Sequence, residues 1–466
     1  MEQPLIPYQY QLADIDKIVA NGGSGIVATQ VGGGKTLIAI EVAKRMKFSS
    51  VLVIAPKGTH KRAWERTIKR QEPSATVRYI NSSVEGKRAY ADLMLGRPGW
   101  FLISPEFFRR FSWSAFKKVD MAIFDEAHRA SNRKAKTAVA LHSLKSEARL
   151  AMSGTIAGNR IDGMWSILKW VFPELAGKSY WAWVGKFLKT RDDFFAGKVP
   201  DGERNPGEIV ASIPCYIRHL KREQCCVEHP NGIDGQLPPM TVEERVVQLS
   251  PEQKKIYKQL EKDLLVWLGE NPLVVEVPVA MRVRLRQITL GVPTIADDGS
   301  VDFDINCRSS KFDELGEIIT DSPVGEQMLV LTHSQKFARV VVSRLSNLGY
   351  NAVEWSGAVP QKKRDEYLEA FIGGEIQFIV AVISAIGEGT DGLQEACSTV
   401  VWLSKDDNRL LNEQAAGRLD RRGQTRSVVS YEIIAEDTYD EGQLSKLVRE
   451  QLAMNESLRE KESGKK

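Results

Sequence analysis

The stretch Ala28-Thr29-Gln30-Val31-Gly32-Gly33-Gly34-Lys35-Thr36 carries the residue types needed to hold a chain of phosphates. Glycines let backbone N–H groups approach the anion, a helix N-terminus adds positive potential, and a lysine reaches the outer oxygens. Gly32, Gly34, Lys35 and Thr36 are the candidate nucleotide-binding residues, and Lys35 is also a candidate catalytic one. One position departs from the usual G-x-x-x-x-G-K-[ST] pattern, because its first glycine is Thr29. Further along, Asp125-Glu126-Ala127-His128 follows the apolar run Met121-Ala122-Ile123-Phe124. Two adjacent carboxylates at the end of a buried strand can divide the work of phosphoryl transfer. Asp125 can hold Mg2+ together with the Thr36 hydroxyl, while Glu126 polarises the water that attacks a γ-phosphate. In the C-terminal half, Gln414-Ala415-Ala416-Gly417-Arg418-Leu419-Asp420-Arg421 sets two guanidinium groups three residues apart, on one face of a helix. Arg418 and Arg421 could neutralise charge that develops on a transferring phosphoryl group.

Rigid elements must present these groups. Gly25-Ile26-Val27 before the glycine loop and Leu37-Ile38-Ala39-Ile40 after it read as a strand and a helix. Apolar runs at 51–54, 100–103 and 121–124 alternate with helical stretches, which predicts a parallel sheet covered on both faces. Such sheets bind ligands at the carboxyl ends of their strands, where each motif falls. Strands resume at 328–331, 378–382 and 400–403 in a second lobe without a phosphate loop of its own. Between the lobes, Ser250-Pro251-Glu252-Gln253 has the cap and proline of a helix start. A charged helix through Trp267 and a second one over 282–288 are expected to follow. The fold class is therefore α/β, two parallel-sheet lobes in tandem with helical protrusions. The expected divisions are a first lobe over 1–222, a linker and helical protrusion over 223–305, a second lobe over 306–449, and a charged tail over 450–466.

A chain of 466 residues can bury two cores. Its net charge is only +4, so a nucleic-acid surface would have to arise from local clustering. The five cysteines are scattered without CxxC spacing, which suits a reducing compartment and argues against a disulfide framework. A zinc site at His219, Cys225, Cys226 and His229 stays open, although adjacent cysteines ligate one zinc poorly. Neither a signal pattern nor a membrane-length apolar run is present, so a soluble, intracellular protein is expected.

Taken together, the motifs resemble those of superfamily-two helicases, and within them the Swi/Snf-like group of DNA-translocating ATPases. Asp125–His128 and Ser153-Gly154-Thr155 belong to the superfamily at large. More specific are Ile217-Arg218-His219-Leu220-Lys221-Arg222, Leu237-Pro238-Pro239-Met240, and Leu249-Ser250-Pro251-Glu252-Gln253 with Tyr257 and Leu260. Ser310-Lys311-Phe312, Trp355-Ser356-Gly357 and Arg422-Gly423-Gln424 extend the likeness, which runs from Tyr8 to Gln424. It implies two RecA-like lobes, ATP and Mg2+ as cofactors, and nucleic-acid-stimulated hydrolysis that drives movement along DNA. Duplex DNA is the favoured partner, with single strands possible, RNA less favoured and no membrane. The compact form is that expected of a minimal prokaryotic or viral member, in the cytoplasm or nucleoid or in a host cytoplasm.

By position, the likeness implies that Gln11 reads the adenine edge, with Gln9 the competing choice, and that Gly389 joins the nucleotide site. Lys57, Thr59 and Ser104 would touch the nucleic-acid backbone from the first lobe, and Thr332, Ser334 and Ser384 from the second. Ser153, Thr155 and Gln414 would couple the nucleotide state to lobe movement. Hydroxyl and amide contacts of this kind position a strand without reading its sequence. Departures fall in the second lobe. Gly392 replaces the group's asparagine, Glu388 and Asp391 add acid, and Asp407-Asn408-Arg409 replaces Trp-Asn-Pro. Two basic clusters are read as phosphate contacts or solvated helix faces: Lys57, Lys61, Arg62, Arg66, Lys69 and Arg70 around Trp64, and the pair Arg282 and Arg286. Tyr180-Trp181-Ala182-Trp183 with Phe187 is read as packing, with base stacking as its alternative. Two other functions share these motifs: a strand-separating DNA or RNA helicase, and a non-catalytic ATP-binding nucleic-acid clamp.

Overall fold

The structure is a computed structural model that describes residues 3–30, 32–114, 119–158, 160–193, 197–219, 238, 240–263, 265–268, 271–274, 278–296, 300–386, 392–421 and 423–458. The expected Gly389, Glu388 and Asp391 lie outside the described residues, as do Cys225, Cys226 and His229. The chain divides into two compact units, 1–236 with 451–466, and 237–450.

In the first unit the strands are β1 Gly25–Val27, β2 Ser50–Ile54, β3 Val77–Ile80, β4 Gly99–Ile103, β5 Val119–Asp125 and β6 Ser146–Met152. They are followed by a hairpin of β7 Leu188–Asp193 and β8 Gly197–Glu203, and by β9 Tyr216–Ile217. All except the hairpin form one parallel sheet in the order β3-β4-β2-β5-β6-β1-β9. Its register brings the motifs to one edge. Val27 and Asp125 both lie opposite Met152, so the chain leaves β1, β5 and β6 side by side into the glycine loop, Glu126 and Ser153.

The second unit contains β10 Met240–Val247, hairpins of β11 Leu265–Leu268 with β12 Asn271–Val274 and of β13 Thr294–Ile295 with β14 Val301–Asp302, and then β15 Met328–Thr332. After these come β16 Ala352–Trp355, β17 Phe378–Val382, β18 Thr399–Trp402 and β19 Val428–Ala435. Its sheet is also parallel, in the order β10-β19-β18-β15-β17-β16. The fold class is thus the expected one, two RecA-like parallel-sheet lobes. Ser250 caps the helix Pro251–Asp263 by accepting from the Gln253 N–H at 3.3 Å. The helix expected to reach Trp267 stops at Asp263, and Trp267 lies in β11. Lys311 is fully buried in the second core, where its ammonium donates to the Leu403 carbonyl and to Asp440. The last helix, Tyr439–Leu458, places Met454 and Leu458 in the core of the first unit. None of the described helices is long and apolar enough to cross a membrane.

Candidate nucleotide site and the residues around it

The glycine loop joins β1 to the helix Lys35–Arg45, and Gly34 ends it in the left-handed region at φ +72°. A Cβ at Gly34 would lie 2.1 Å from the Gln11 amide nitrogen and push that side chain aside, and the left-handed backbone itself favours glycine. Gln11 is buried, accepts from the Tyr8 N–H at 2.9 Å and donates to the Gly33 carbonyl at 3.3 Å, whereas Gln9 is exposed. Lys35 turns back onto the loop and donates to the Thr29 carbonyl at 2.8 Å and the Gln30 carbonyl at 3.1 Å. The Thr29 hydroxyl, where a glycine is usual, is buried with no hydrogen-bond partner among the described residues.

At the end of β5, Asp125 is buried beside the loop. Its Oδ2 accepts from the Trp64 indole N–H at 3.0 Å, and its Oδ1 from the Glu126 N–H at 3.1 Å. Burial, then the neighbouring Glu126 charge, pushes its carboxyl up to about 6, while Trp64 and Lys35 pull the other way. Trp64 is fully buried and comes from a π-helical turn, His60–Glu65, directly after the Lys57–Thr59 segment. π-Turns inside helices occur often at functional sites. Nothing in the residue types signalled this indole, which sequence reading placed among the basic side chains.

Glu126 has a left-handed backbone at φ +54°, a strained position for a residue with a Cβ, of the kind found at active sites. Its carboxylate lies 3.3 Å from the Ser153 hydroxyl and 3.3 Å from His128 Nδ1. His128 Nδ1 and the Ser153 hydroxyl are 2.9 Å apart, and Ser153 accepts from the Thr155 N–H at 3.1 Å. One polar cluster therefore joins the acidic motif to Ser153 and Thr155.

Of the other candidates, Lys57 is exposed and the Thr59 hydroxyl donates to the Pro56 carbonyl at 2.8 Å. Ser104 caps the short helix Pro105–Phe108 by accepting from the Phe107 N–H at 3.2 Å. In the second unit, Thr332 is fully buried with its hydroxyl 3.3 Å from that of Ser404. Ser334 caps the helix Gln335–Asn347, and Ser384 is exposed. Gln414 is buried in the helix Arg409–Ala416. That helix ends at Gly417, so Arg418 and Arg421 do not share a helix face; they follow in a turn, Arg418 buried and Arg421 half-buried.

Arg286 is not on a solvated face. It is buried and donates to the Asp407 carboxylate at 2.9 Å and the Lys405 carbonyl at 2.6 Å. This explains Asp407 in place of the expected tryptophan: it is the carboxylate partner of a buried guanidinium. His219 Nε2 donates to the Asp14 carboxylate at 2.8 Å. The described cysteines, Cys215, Cys307 and Cys397, are buried and form no disulfide among the described residues.

The chain is similar in sequence to known proteins along most of its length. The SNF2-related domain matches residues 15–288, more than half of the chain, and the helicase conserved C-terminal domain matches 310–423. A human relative, SWI/SNF-related matrix-associated actin-dependent regulator of chromatin subfamily A member 1, is 24% identical across 93% of this chain and 42% of its own length. The putative ATP-dependent helicase/translocase YwqA of Bacillus subtilis (strain 168) is 24% identical across 94% of this chain and 47% of its own. The chain thus spans less than half the length of these two relatives. The solved Sulfolobus solfataricus SWI2/SNF2 ATPase core in complex with dsDNA is 20% identical, with a TM-score of 0.43, over 99% of this chain and 95% of that one. With the glycine loop, an acidic pair and a Ser-Gly-Thr segment following the carboxyl ends of three neighbouring strands, and both domain matches in sequence order, the chain belongs to the SNF2-related family of helicase superfamily two.

Proposed function

We propose that this chain is a nucleic-acid-stimulated ATPase that converts ATP hydrolysis into movement along duplex DNA. The observation that carries the reading is the cluster at the end of β5, where Asp125 meets the Lys35 loop and Glu126 meets Ser153. The loop's N–H groups and the N-terminus of the helix Lys35–Arg45 would hold the phosphates. Lys35, now on the loop carbonyls, would move its ammonium to the β- and γ-phosphate oxygens. The buried Asp125 carboxylate and the Thr36 hydroxyl offer the hard oxygen donors that Mg2+ prefers. Asp125 and Thr36 would hold Mg2+, which when bound supplies positive charge against the charge that develops in phosphoryl transfer. Glu126 would orient and deprotonate the attacking water, held in place by its strained backbone and Ser153. Arg418 and Arg421 would stabilise the transferring group. Gln11, which donates to the Gly33 carbonyl of the loop, would recognise the base. Lys57, Thr59, Ser104 and Ser384 would touch the DNA backbone, with Ser153, Thr155 and Gln414 as couplers. Thr332, fully buried, would act by holding Ser404.

The test is the steady-state ATPase rate with no nucleic acid, duplex DNA, single-stranded DNA and RNA, followed by displacement of a triplex strand. Strong stimulation by duplex that is lost in Lys35→Ala, together with triplex displacement, is the expected result. A preference for single strands or RNA with strand separation would replace this reading by that of an unwinding helicase. No hydrolysis under any condition would leave a nucleotide-binding clamp.

A further inference from the structure

The first unit has a second concave surface. Ser131–Lys134, in the loop after the acidic motif, lines it together with Ala157, Arg160 and Gly163. The start of the helix Tyr180–Phe187 and β8 of the hairpin complete it. Its volume is about 530 Å³, within the size range of small-molecule and nucleotide pockets.

Charge and aromatic surface converge there. Four cations, Arg133, Lys134, Arg160 and Lys198, line a groove that contains one carboxylate, Asp162. That carboxylate already accepts from Arg160 Nε at 3.0 Å and from the Tyr180 hydroxyl at 2.7 Å. The other end of the Arg160 guanidinium donates to the Pro200 carbonyl at 3.1 Å and ties the segment after β6 to the hairpin. The guanidinium carbon of Arg133 lies over Tyr180, 4.1 Å from the ring centroid. The helix that supplies Tyr180 divides its aromatics: Trp183 and Phe187 are buried, but Trp181 is 48% exposed on the groove wall. The expected packing role therefore holds for Trp183, Phe187 and the half-buried Tyr180, while Trp181 keeps only an edge contact with Tyr180 and is otherwise left open.

An excess of cations beside an exposed indole matches a ligand that carries both phosphate and a flat ring. An acidic peptide would answer the cations and leave the indole in water. Duplex DNA keeps its bases stacked inside and would offer the groove only a convex backbone. Unpaired nucleotides answer both features, because stacking on an aromatic ring tolerates any base and basic side chains track the phosphates. We propose that this groove is a second nucleic-acid site, separate from the nucleotide loop, which takes unpaired nucleotides of a single strand. Trp181 stacks a base, and Arg133, Lys134 and Lys198 hold the adjoining phosphates. The proposal rests on the nucleic-acid reading above only for the source of its ligand.

The test is fluorescence anisotropy of a short labelled oligothymidylate with the full chain in the absence of ATP. Trp181→Ala and the exposed pair Lys134→Glu with Lys198→Glu should each weaken binding about tenfold or more, while Trp181→Phe retains most of it. The thermal midpoints should match wild type, since these side chains are exposed. Equal affinity in all variants would overturn the proposal. So would displacement of the oligonucleotide by polyglutamate at similar concentration, which would reveal a generic anion surface. Duplex-stimulated ATPase of the wild type is measured in parallel. Its absence would sink the motor reading and leave the groove to be judged by anisotropy alone.

Discussion

At the scale of single residues, the site depends on a few buried polar contacts. Trp64→Phe keeps most of the ring volume but removes the N–H that Asp125 accepts. A buried acceptor that loses its donor costs about 1–3 kcal/mol. The expected outcome is a lower ATPase rate and a several-fold higher Mg2+ concentration for half-maximal rate; an Mg2+ titration decides it, and an unchanged requirement would reduce Trp64 to a packing residue. His333 is a second sensitive position. Burial, then the nearby Arg286 and Lys311 charges, holds its pKa well below the usual value. The unfolded chain takes up a proton below about pH 6.5 that the fold refuses, so its contribution is present above that pH and lost as pH falls. His333→Asn should flatten the stability–pH slope between about pH 5 and 6.5, by up to about 1.4 kcal/mol per pH unit, as read from urea midpoints.

At the scale of elements, the strand interiors were legible and the sheet edges were not. β2, β15, β17 and β18 are buried throughout and read as unbroken apolar runs. β3, β10 and β16 are edge strands with partly exposed side chains, and Glu243, Glu244 and Arg245 make β10 look like a loop. The arginine segment failed as a helix because the helix ends at Gly417, which keeps a right-handed backbone, and the chain goes on through turns that three-residue spacing does not signal. The glycine loop was fully visible, and its junction can be tested. Gly34→Ala places a Cβ against Gln11 at a left-handed backbone position. It should destabilise the protein by about 1 kcal/mol or more and weaken ATP binding, as seen in thermal melts and nucleotide titration.

At the scale of the molecule, the described side chains of the first unit form one buried cluster and those of the second form two, one on each face of its sheet. The second unit also buries a charged pair. Lys311 pairs with Asp440 inside the second unit. Breaking a buried pair by removing one partner typically costs about 3–5 kcal/mol. Lys311→Ala should therefore strip hydrogen-exchange protection from β15 and β18 and leave β2 and β5 protected; equal loss in both sheets would mean the units unfold as one. By itself the sequence determined the two-lobed α/β class, the phosphate loop, the acidic pair and the family, because these are written in residue type, short spacing and local periodicity. Tertiary structure alone decided that Trp64 holds Asp125, that Arg286 holds Asp407 and that Trp181 faces a basic groove. The first two pairings join residues 61 and 121 positions apart. Packing decides which buried donor meets which acceptor, and which ring is left in water, and no local pattern records that choice.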